Sequence, residues 1–393
     1  MVDPYNKYRF ATCGLNYVRV WEIDGKSLLI KDSVKVRDTF GDGVYVTAIG
    51  YIYYLLGDII ETDLIVGDNR GDIGLVTCGN YIMLKKQGHM GMINCLKITD
   101  ALYDKLVVIT AGEDEKIKFW DTGLNLISEF NIKMSGMTTL DEDKNFSIQS
   151  LDIYACEPPT SLAGKTNDKP GGAYGTQHGR EPEKQNPFML VGTRSGSVLE
   201  VTLTTEFIGL GQMEDNEDID ENSSDDGDEQ GKGRANLVLE KILFHPKMIF
   251  RYHSTQDESR IKENIGMMKN CYMSHHPRRN VFVSIGNDNQ LFLWDIGKKE
   301  IIFDKRLDVR PTCIRFSPDG DNLAVGFENG NLIFYDSSVI DAYYESEIDE
   351  DHFNLRNFEI LYSENLKIPI INLEFSESGK FIAISLSNQR IKD

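Results

Sequence analysis

The chain is short of basic residues, and this shortage excludes one class of function. Its 42 lysines and arginines are outnumbered by 62 aspartates and glutamates, which gives a formal net charge of −20. A nucleic-acid binder normally presents a basic face to the phosphates, so this balance argues against nucleic acid as a partner. The excess of carboxylates favours solubility and a protein partner that is met through shape or through local basic patches.

Paired cysteines and long apolar runs are also missing. The six cysteines lie far apart, without a CxxC pair, at positions 13, 78, 95, 156, 271 and 313. This spacing predicts buried free thiols of a reducing compartment, and neither a disulfide framework nor a zinc site. No apolar run approaches the roughly 18 residues that a membrane span needs, and the N-terminus lacks a basic-then-apolar signal. We therefore expect a protein of the cytoplasm or cytoskeleton, with no membrane partner and no cofactor.

One segment, residues 88–121, sets the pattern that the rest of the chain repeats. It begins with Gly-His and ends with Trp-Asp, and its alternating and apolar runs predict three short strands joined by tight turns. Gly-His and Trp-Asp bracketing a period of about 40–45 residues are typical of the WD-repeat propeller, in which each repeat forms one four-stranded blade. The chain resembles that family.

The resemblance implies a buried hydrogen-bonded chain of four side chains in this segment. In a family blade these are a His, a Ser or Thr, an Asp and a Trp; the matching residues here are His89, Thr110, Asp114 and Trp120. A buried polar group without a partner costs about 1–3 kcal/mol, so we expect the four to form a satisfied network. The first three also match the residue types of a nucleophile triad. We favour the blade, because it explains their spacing and a triad is recognised by geometry.

A second unit repeats most of this network. Ser284, Asp288 and Trp294 have the spacing of its last three members, although no Gly-His precedes them at the matching distance. The remaining units carry the strand pattern with weaker signatures. Altogether the sequence predicts an all-β, WD-repeat β-propeller of about seven blades that fills residues 1–393 as a single domain.

Both ends of the predicted ring are incomplete. The innermost strand of the first unit is replaced by Met1 and Val2, and the seventh unit stops at Asp393 before its outer strands. A propeller normally closes by pairing its first and last strands within one blade. We therefore expect an excerpt of a longer protein, which leaves a second propeller in tandem open. The alternative is a ring closed by the strands as they stand.

Three insertions interrupt the repeats, and we expect all three to be disordered. They are residues 157–187, 213–234 and 337–354; the second carries ten acidic residues in its first eighteen. The first falls between the first and second strands of its unit, and the others between the third and fourth, so all should project from one rim. The opposite rim should receive only short turns and residues 246–262. Long loops often carry function, but tolerated length variation would leave the same pattern.

Four longer phrases extend the resemblance beyond generic WD repeats. Residues 4–23, 188–201, 276–295 and 311–330 resemble the propeller part of the echinoderm microtubule-associated protein-like family and related cilia- and flagella-associated WD-repeat proteins. This resemblance implies a non-enzymatic scaffold of the cytoskeleton, at the cilium or axoneme, whose partners are tubulin, microtubules or other axonemal proteins. A soluble WD-repeat recognition subunit, for example a substrate receptor, is the alternative.

Docking on an acidic microtubule surface requires local basic clusters in so acidic a chain. The candidate contacts are Arg278, Arg279, Lys298 and Lys299. His275 and His276 precede the two arginines, but adjacent histidines of a strand point to opposite faces, so we expect a simple turn there and no metal site. No convergent acid/base pair, metal cluster or nucleophile motif appears, so we name no catalytic residue.

Overall fold

The structure, a computed structural model, assigns the residues that it describes almost entirely to strands and turns. It describes residues 1–6, 8–24, 27–36, 43–56, 59–77, 80–85, 87–100, 106–132, 146–154, 188–194, 197–208, 238–251, 271–345, 358–376, 378–387 and 391–392. Within these ranges the strands form seven antiparallel sheets, and each sheet is a simple meander of consecutive strands.

The first three sheets consist of β1 (Arg9–Gly14), β2 (Tyr17–Asp24) and β3 (Ser27–Lys35); β4 (Val46–Leu56), β5 (Ile59–Asp68), β6 (Ile73–Thr77) and β7 (Asn80–Lys85); and β8 (Ile93–Thr99), β9 (Val107–Gly112), β10 (Lys116–Trp120) and β11 (Leu126–Asn131). The fourth and fifth consist of β12 (Ile148–Tyr154), β13 (Phe188–Thr193), β14 (Ser197–Ile208) and β15 (Val238–Arg251); and β16 (Cys271–His275), β17 (Val281–Gly286), β18 (Gln290–Asp295) and β19 (Glu300–Arg306). The last two consist of β20 (Pro311–Phe316), β21 (Asn322–Phe327), β22 (Asn331–Asp336) and β23 (Ile360–Asn365); and β24 (Ile370–Phe375), β25 (Ile382–Leu386) and β26 (Ile391–Lys392).

The core lies between neighbouring sheets. β9 and β17 are buried along their whole lengths, because each is the second strand of a sheet that is covered on both faces. One apolar cluster joins the third sheet to the fourth through Ile109, Ile117 and Val191, and another joins the fifth sheet to the sixth. Burial on both faces explains why these strands are continuous apolar runs, while the outer strands β11, β19 and β23 are largely exposed or half-buried.

The sheets stand side by side as the blades of a propeller. The first strand of each sheet from β4 to β20 contacts the first strand of the next, and β1 contacts β4. This arrangement confirms the predicted all-β propeller of about seven blades, with partial first and last blades. In blade 1 the missing inner strand is replaced by a short segment in which Val2 bridges Phe10, and Met1 and Ala11 exchange backbone hydrogen bonds.

A recurring bulge fixes how neighbouring inner strands meet. The register shifts at the second residue of the inner strand in blades 2, 3, 4, 6 and 7. In three blades the side chain of that residue donates to a backbone carbonyl of the next blade: Thr47 Oγ1 to Ile93 O at 2.6 Å, Asn94 Nδ2 to Ile148 O at 2.8 Å and Thr312 Oγ1 to Ile370 O at 2.6 Å. A bulge leaves ladder groups unpaired, and these side chains satisfy them across the blade boundary.

The positions of the three insertions follow the expected strand boundaries. Residues 157–187 and 213–234 lie outside the described residues, but the first separates β12 from β13 and the second separates β14 from β15. The third separates β22 from β23. The loops that join first to second and third to fourth strands open on one rim of every blade, which we call the lower rim.

Two segments differ from the sequence-based expectation. Residues 338–345 of the third insertion, expected to be disordered, form helix α1 (Ser338–Glu345). Residues 246–251, expected to be a loop on the upper rim, continue β15, where Pro246 pairs with Val201. Pro246 is compatible with this position because β15 is the edge strand of its sheet, where proline is tolerated.

Candidate protein-interaction surface

The predicted network of blade 3 is assembled at the upper ends of its strands. His89 Nδ1 lies 2.9 Å from Asp114 Oδ1, His89 Nε2 lies 2.7 Å from Thr110 Oγ1, and Trp120 Nε1 donates to Thr110 Oγ1 at 2.8 Å. Because an ionised carboxylate only accepts, Nδ1–H donates to Asp114, and Nε2 accepts the hydroxyl proton of Thr110. The Thr110 oxygen is then free to accept the indole N–H, so every polar group in the chain of four is satisfied.

The same geometry explains why these residues do not act as a nucleophile triad. The exposed fraction is 0% for Thr110 and 1% for His89, and the hydroxyl is enclosed between the imidazole and the indole. A substrate carbonyl has no path to that oxygen. The network therefore holds the blade together and positions the turn that ends at Asp114.

Parts of the same network recur in blades 5 and 1. Trp294 Nε1 donates to Ser284 Oγ at 2.8 Å, and Asp288 accepts from the backbone N–H of Gln290 at 3.2 Å. The version in blade 1 was not predicted: there Trp21 Nε1 donates to Thr12 Oγ1 at 2.8 Å. The spacing from Thr12 to Trp21 is one residue shorter than in blades 3 and 5, which hid the match.

The two candidate arginines lie on the lower rim, in the turn between β16 and β17, and both contact α1. Arg278 Nη2 and Arg279 Nε pair with the two carboxylate oxygens of Asp341 on α1. Arg278 Nη2 also pairs with Asp321 Oδ1 at 2.5 Å. Burial alone would raise the pKa of Asp341, but the hydrogen bond and charge of Arg279, with the charge of Arg278, hold that pKa below its ordinary value. The aspartate is therefore held as a carboxylate against both guanidinium groups.

His276 holds the turn that carries the two arginines. Its Nδ1 accepts the backbone N–H of Arg279 at 3.0 Å and of Arg278 at 3.3 Å, and its Nε2 lies 3.2 Å from the carbonyl oxygen of Gly320. Burial lowers the pKa of His276 to about 4, so the ring stays neutral and Nδ1 stays an acceptor. Gly320 has a φ of 76°, and a Cβ there would meet the ring at 2.7 Å, so glycine is required. The histidine thus has the structural role expected of a simple turn.

Helix α1 forms because contacts with the rim supply the stability that a helix of eight residues lacks on its own. Isolated helices of this length are unstable in water. Ile340 is fully buried, and Tyr344, one turn further along the helix, packs with it against the core that blades 5 and 6 share. At its start, Asp336 Oδ1 accepts the backbone N–H of Ser338 at 3.0 Å. The hydroxyl of Tyr344 also donates to Asp295 on blade 5, so the helix is attached to the neighbouring blade.

The two candidate lysines lie in the turn between β18 and β19, on the same rim. Lys298 Nζ donates to the hydroxyl of Tyr343 on α1 at 3.3 Å and lies 5.6 Å from the centre of its ring. Lys299 Nζ lies 3.7 Å from Glu200 Oε2 on blade 4. The structure therefore brings the four candidate residues to the lower rim of blade 5 as one basic cluster, and each of them already has an intramolecular partner.

Cys95 and Cys313 are not reactive thiols. Cys95 and Cys313 are free and buried, and burial raises the pKa of each to about 12.

Within the described residues, no group of three or more His, Cys, Asp or Glu side chains is arranged to hold a metal ion. In the same part of the chain, no helix is both long and apolar enough to cross a membrane.

Comparison with known proteins identifies the fold and one repeat. The family model described as "WD domain, G-beta repeat" matches residues 306–336, which include the first three strands of blade 6. The WD40 β-propeller domain of Doa1 is similar over 98% of this chain and 88% of its own, with 13% identity and a TM-score of 0.55. The C-terminal WD40 domain of Sif2 is similar over 99% of this chain and 93% of its own, with 13% identity and a TM-score of 0.51. A chain of the Mitotic Checkpoint Complex is similar over 100% of this chain and 90% of its own, with 11% identity and a TM-score of 0.55.

These likenesses establish a WD40 β-propeller fold, and the repeat match supports a WD-repeat protein. A fold of this kind does not by itself fix the function, so the surface residues must carry that argument.

Proposed function

We propose that this chain is a non-enzymatic WD-repeat scaffold that associates with microtubules, as a structural protein of the cilium or axoneme. The basic cluster on the lower rim of blade 5 carries this proposal. Four cations lie there on two neighbouring turns; Arg278, Arg279 and Lys299 are paired with carboxylates of the same chain, which an acidic tubulin surface would replace as their partner. The resemblance of residues 4–23, 188–201, 276–295 and 311–330 to microtubule-associated propellers supports the same partner.

Co-sedimentation with preformed microtubules, at low and at moderate salt, tests the proposal. We expect the protein to pellet with microtubules at low salt and less at moderate salt, because salt screens contacts between exposed charges. The double variant Arg278→Glu, Arg279→Glu should stay in the supernatant. If the unsubstituted protein pellets at neither salt and retains no soluble tubulin, direct tubulin binding is wrong. Recovery in a soluble complex would instead support the recognition-subunit alternative.

Helix α1 competes with any acidic partner for this cluster, which gives a second prediction. Asp341 occupies both arginines, yet the side chain of Arg278 is 44% exposed, so an incoming carboxylate can reach it. Exposed ion pairs contribute at most about 1 kcal/mol each. The variant Asp341→Asn should therefore bind microtubules about threefold to tenfold more tightly, measured as the dissociation constant from co-sedimentation.

The matched control is Asp304→Asn, which removes the same charge from the exposed outer strand β19 of the same blade. A gain that is specific to Asp341→Asn assigns the effect to the cluster. Equal gains in the two variants would show that only the net charge matters, and the rim cluster would then have no special role.

A further inference from the structure

The turn between Val2 and β1 presents tyrosine side chains on the lower rim of blade 1, far along the ring from the basic cluster. Asp3 Oδ1 accepts the backbone N–H groups of Tyr5 at 2.9 Å and Asn6 at 3.2 Å, and Asn6 Oδ1 accepts that of Tyr8 at 3.1 Å. Asp3 is itself 1% exposed. These bonds fix the turn, so Tyr5, with 37% of its surface exposed, is presented on a prepared backbone.

Tyr5 meets a second tyrosine from the next blade. Its ring centre lies 4.6 Å from that of Tyr53 on β4, with an angle of 60° between the ring planes. The hydroxyl of Tyr53 donates to Asp100 Oδ2, at the end of β8 in blade 3, at 3.3 Å. Two aromatic faces and a half-buried carboxylate therefore lie in a row across the lower ends of blades 1, 2 and 3.

The surrounding charges favour a cationic occupant. Among the described residues, Arg9 is the basic side chain that contacts this turn, and its Nη1 lies 3.7 Å from Asp3 Oδ2 and 3.4 Å from Thr62 Oγ1. Its charge is therefore largely balanced by Asp3. Within the described residues Asp100 forms no ion pair with a basic side chain, and it keeps acceptor positions beyond the one that Tyr53 uses.

We propose that Tyr5, Tyr53 and Asp100 form a binding site for an arginine side chain of a basic protein partner. A guanidinium group stacks on an aromatic face and pairs with a carboxylate through its fork of N–H donors. The net charge of −20 attracts such a partner to the chain, and the rigid tyrosines supply contact area at a low entropy cost. This site is separate from the basic cluster of blade 5, so it does not depend on binding to microtubules.

Fluorescence anisotropy with the whole chain tests the site directly. The probe is a fluorescein-labelled Gly-Arg-Gly-Arg-Gly peptide, compared with the same peptide carrying lysine or glutamate in place of arginine. We expect saturable binding of the arginine peptide, weaker binding of the lysine peptide and none of the glutamate peptide. Tyr5→Ala and Asp100→Asn should each weaken binding of the arginine peptide about threefold to tenfold, and Tyr5→Phe should leave it unchanged.

Tyr45→Ala is the matched control, because Tyr45 is a 49% exposed tyrosine outside this turn, before the inner strand of blade 2. It should not change the affinity. Equal losses from Tyr5→Ala and Tyr45→Ala, unchanged affinity in Tyr5→Ala, or no saturable binding of the arginine peptide would overturn the proposal. Thermal unfolding of each variant separates a lost contact from a lost fold, and Tyr5→Phe retains the ring if Tyr5→Ala proves unstable.

Discussion

Replacing Thr110 with valine should lower the free energy of unfolding by about 2–6 kcal/mol. Valine keeps the shape of threonine but removes the hydroxyl that serves both the imidazole of His89 and the indole of Trp120. Two buried polar atoms then lose their partners, and each unpaired group costs about 1–3 kcal/mol. Urea unfolding followed by tryptophan fluorescence measures the change directly.

Blade 5 provides the comparison for this variant. Ser284 serves Trp294 in the same way, but no histidine of the Gly-His type precedes it at the matching distance. Ser284→Ala removes the acceptor of the Trp294 indole N–H and should also destabilise the protein, by about 1–3 kcal/mol. No loss of stability in Thr110→Val would contradict the network of four and reduce the role of His89 to packing.

The network also makes blade 3 sensitive to acid. Burial alone would raise the pKa of Asp114, but the hydrogen bond and charge of His89, with the N–H groups of Met90 and Lys116, hold it below its ordinary value. A carboxyl group with a depressed folded pKa contributes stability above its unfolded pKa, and this is lost as the pH falls through the folded value. The stability difference between the unsubstituted chain and Asp114→Asn should thus shrink below about pH 4.

The sequence predicted the strands well because their signals are local. Alternation and apolar runs report which faces are covered, and the Trp-Asp and Gly-His pairs mark fixed points of a blade. The version of the network in blade 1 was missed for an equally local reason: the turn at Asn16, which has a φ of 58°, shortens the spacing by one residue.

The rim could not be predicted in the same way, because its structure depends on distant residues. The acidic segment after β22 has no strong helix signal, and α1 is held by Arg278 and Arg279, more than sixty residues earlier in the chain. Sequence reasoning found the arginines and assigned them to an external partner. It did not identify Asp341 as their partner within the chain, because a contact between residues about sixty positions apart produces no periodic pattern in the sequence. The continuation of β15 through Pro246 was missed similarly, since only the sheet order identifies an edge strand.

A chain of alternating charges connects the inner strands of blades 3 to 7, and its centre is Asp152 on β12. Lys97 Nζ of blade 3 donates to Asp152 Oδ1 at 3.3 Å, and the backbone N–H of His275 in blade 5 donates to Asp152 Oδ2 at 2.9 Å. Arg315 of blade 6 continues the chain: its Nη1 donates to the carbonyl oxygen of Met273, and its Nε lies 3.6 Å from Glu374 Oε2 of blade 7.

Asp152→Ala should therefore destabilise the propeller by about 2–3 kcal/mol, below the 3–5 kcal/mol of a fully buried pair because the side chain is 21% exposed. The variant leaves Lys97 and the His275 N–H without their acceptor at the same time. Burial alone would raise the pKa of Asp152, but Lys97 and Arg315 hold it below its ordinary value, so this stabilisation too is lost in acid.

Asp152→Asn separates the charge from the hydrogen bond, since the amide oxygen still accepts the N–H of His275. It should cost about 1 kcal/mol, and the remainder of the alanine effect then measures the packing and hydrogen-bond part. If alanine and asparagine cost the same, the charge alone connects these blades. If neither substitution changes the stability, the charges on the inner strands are dispensable. Neighbouring blades are then held together by the hydrogen bonds of Thr47, Asn94 and Thr312 at the bulges, and these bonds keep the rim surfaces in fixed relative positions.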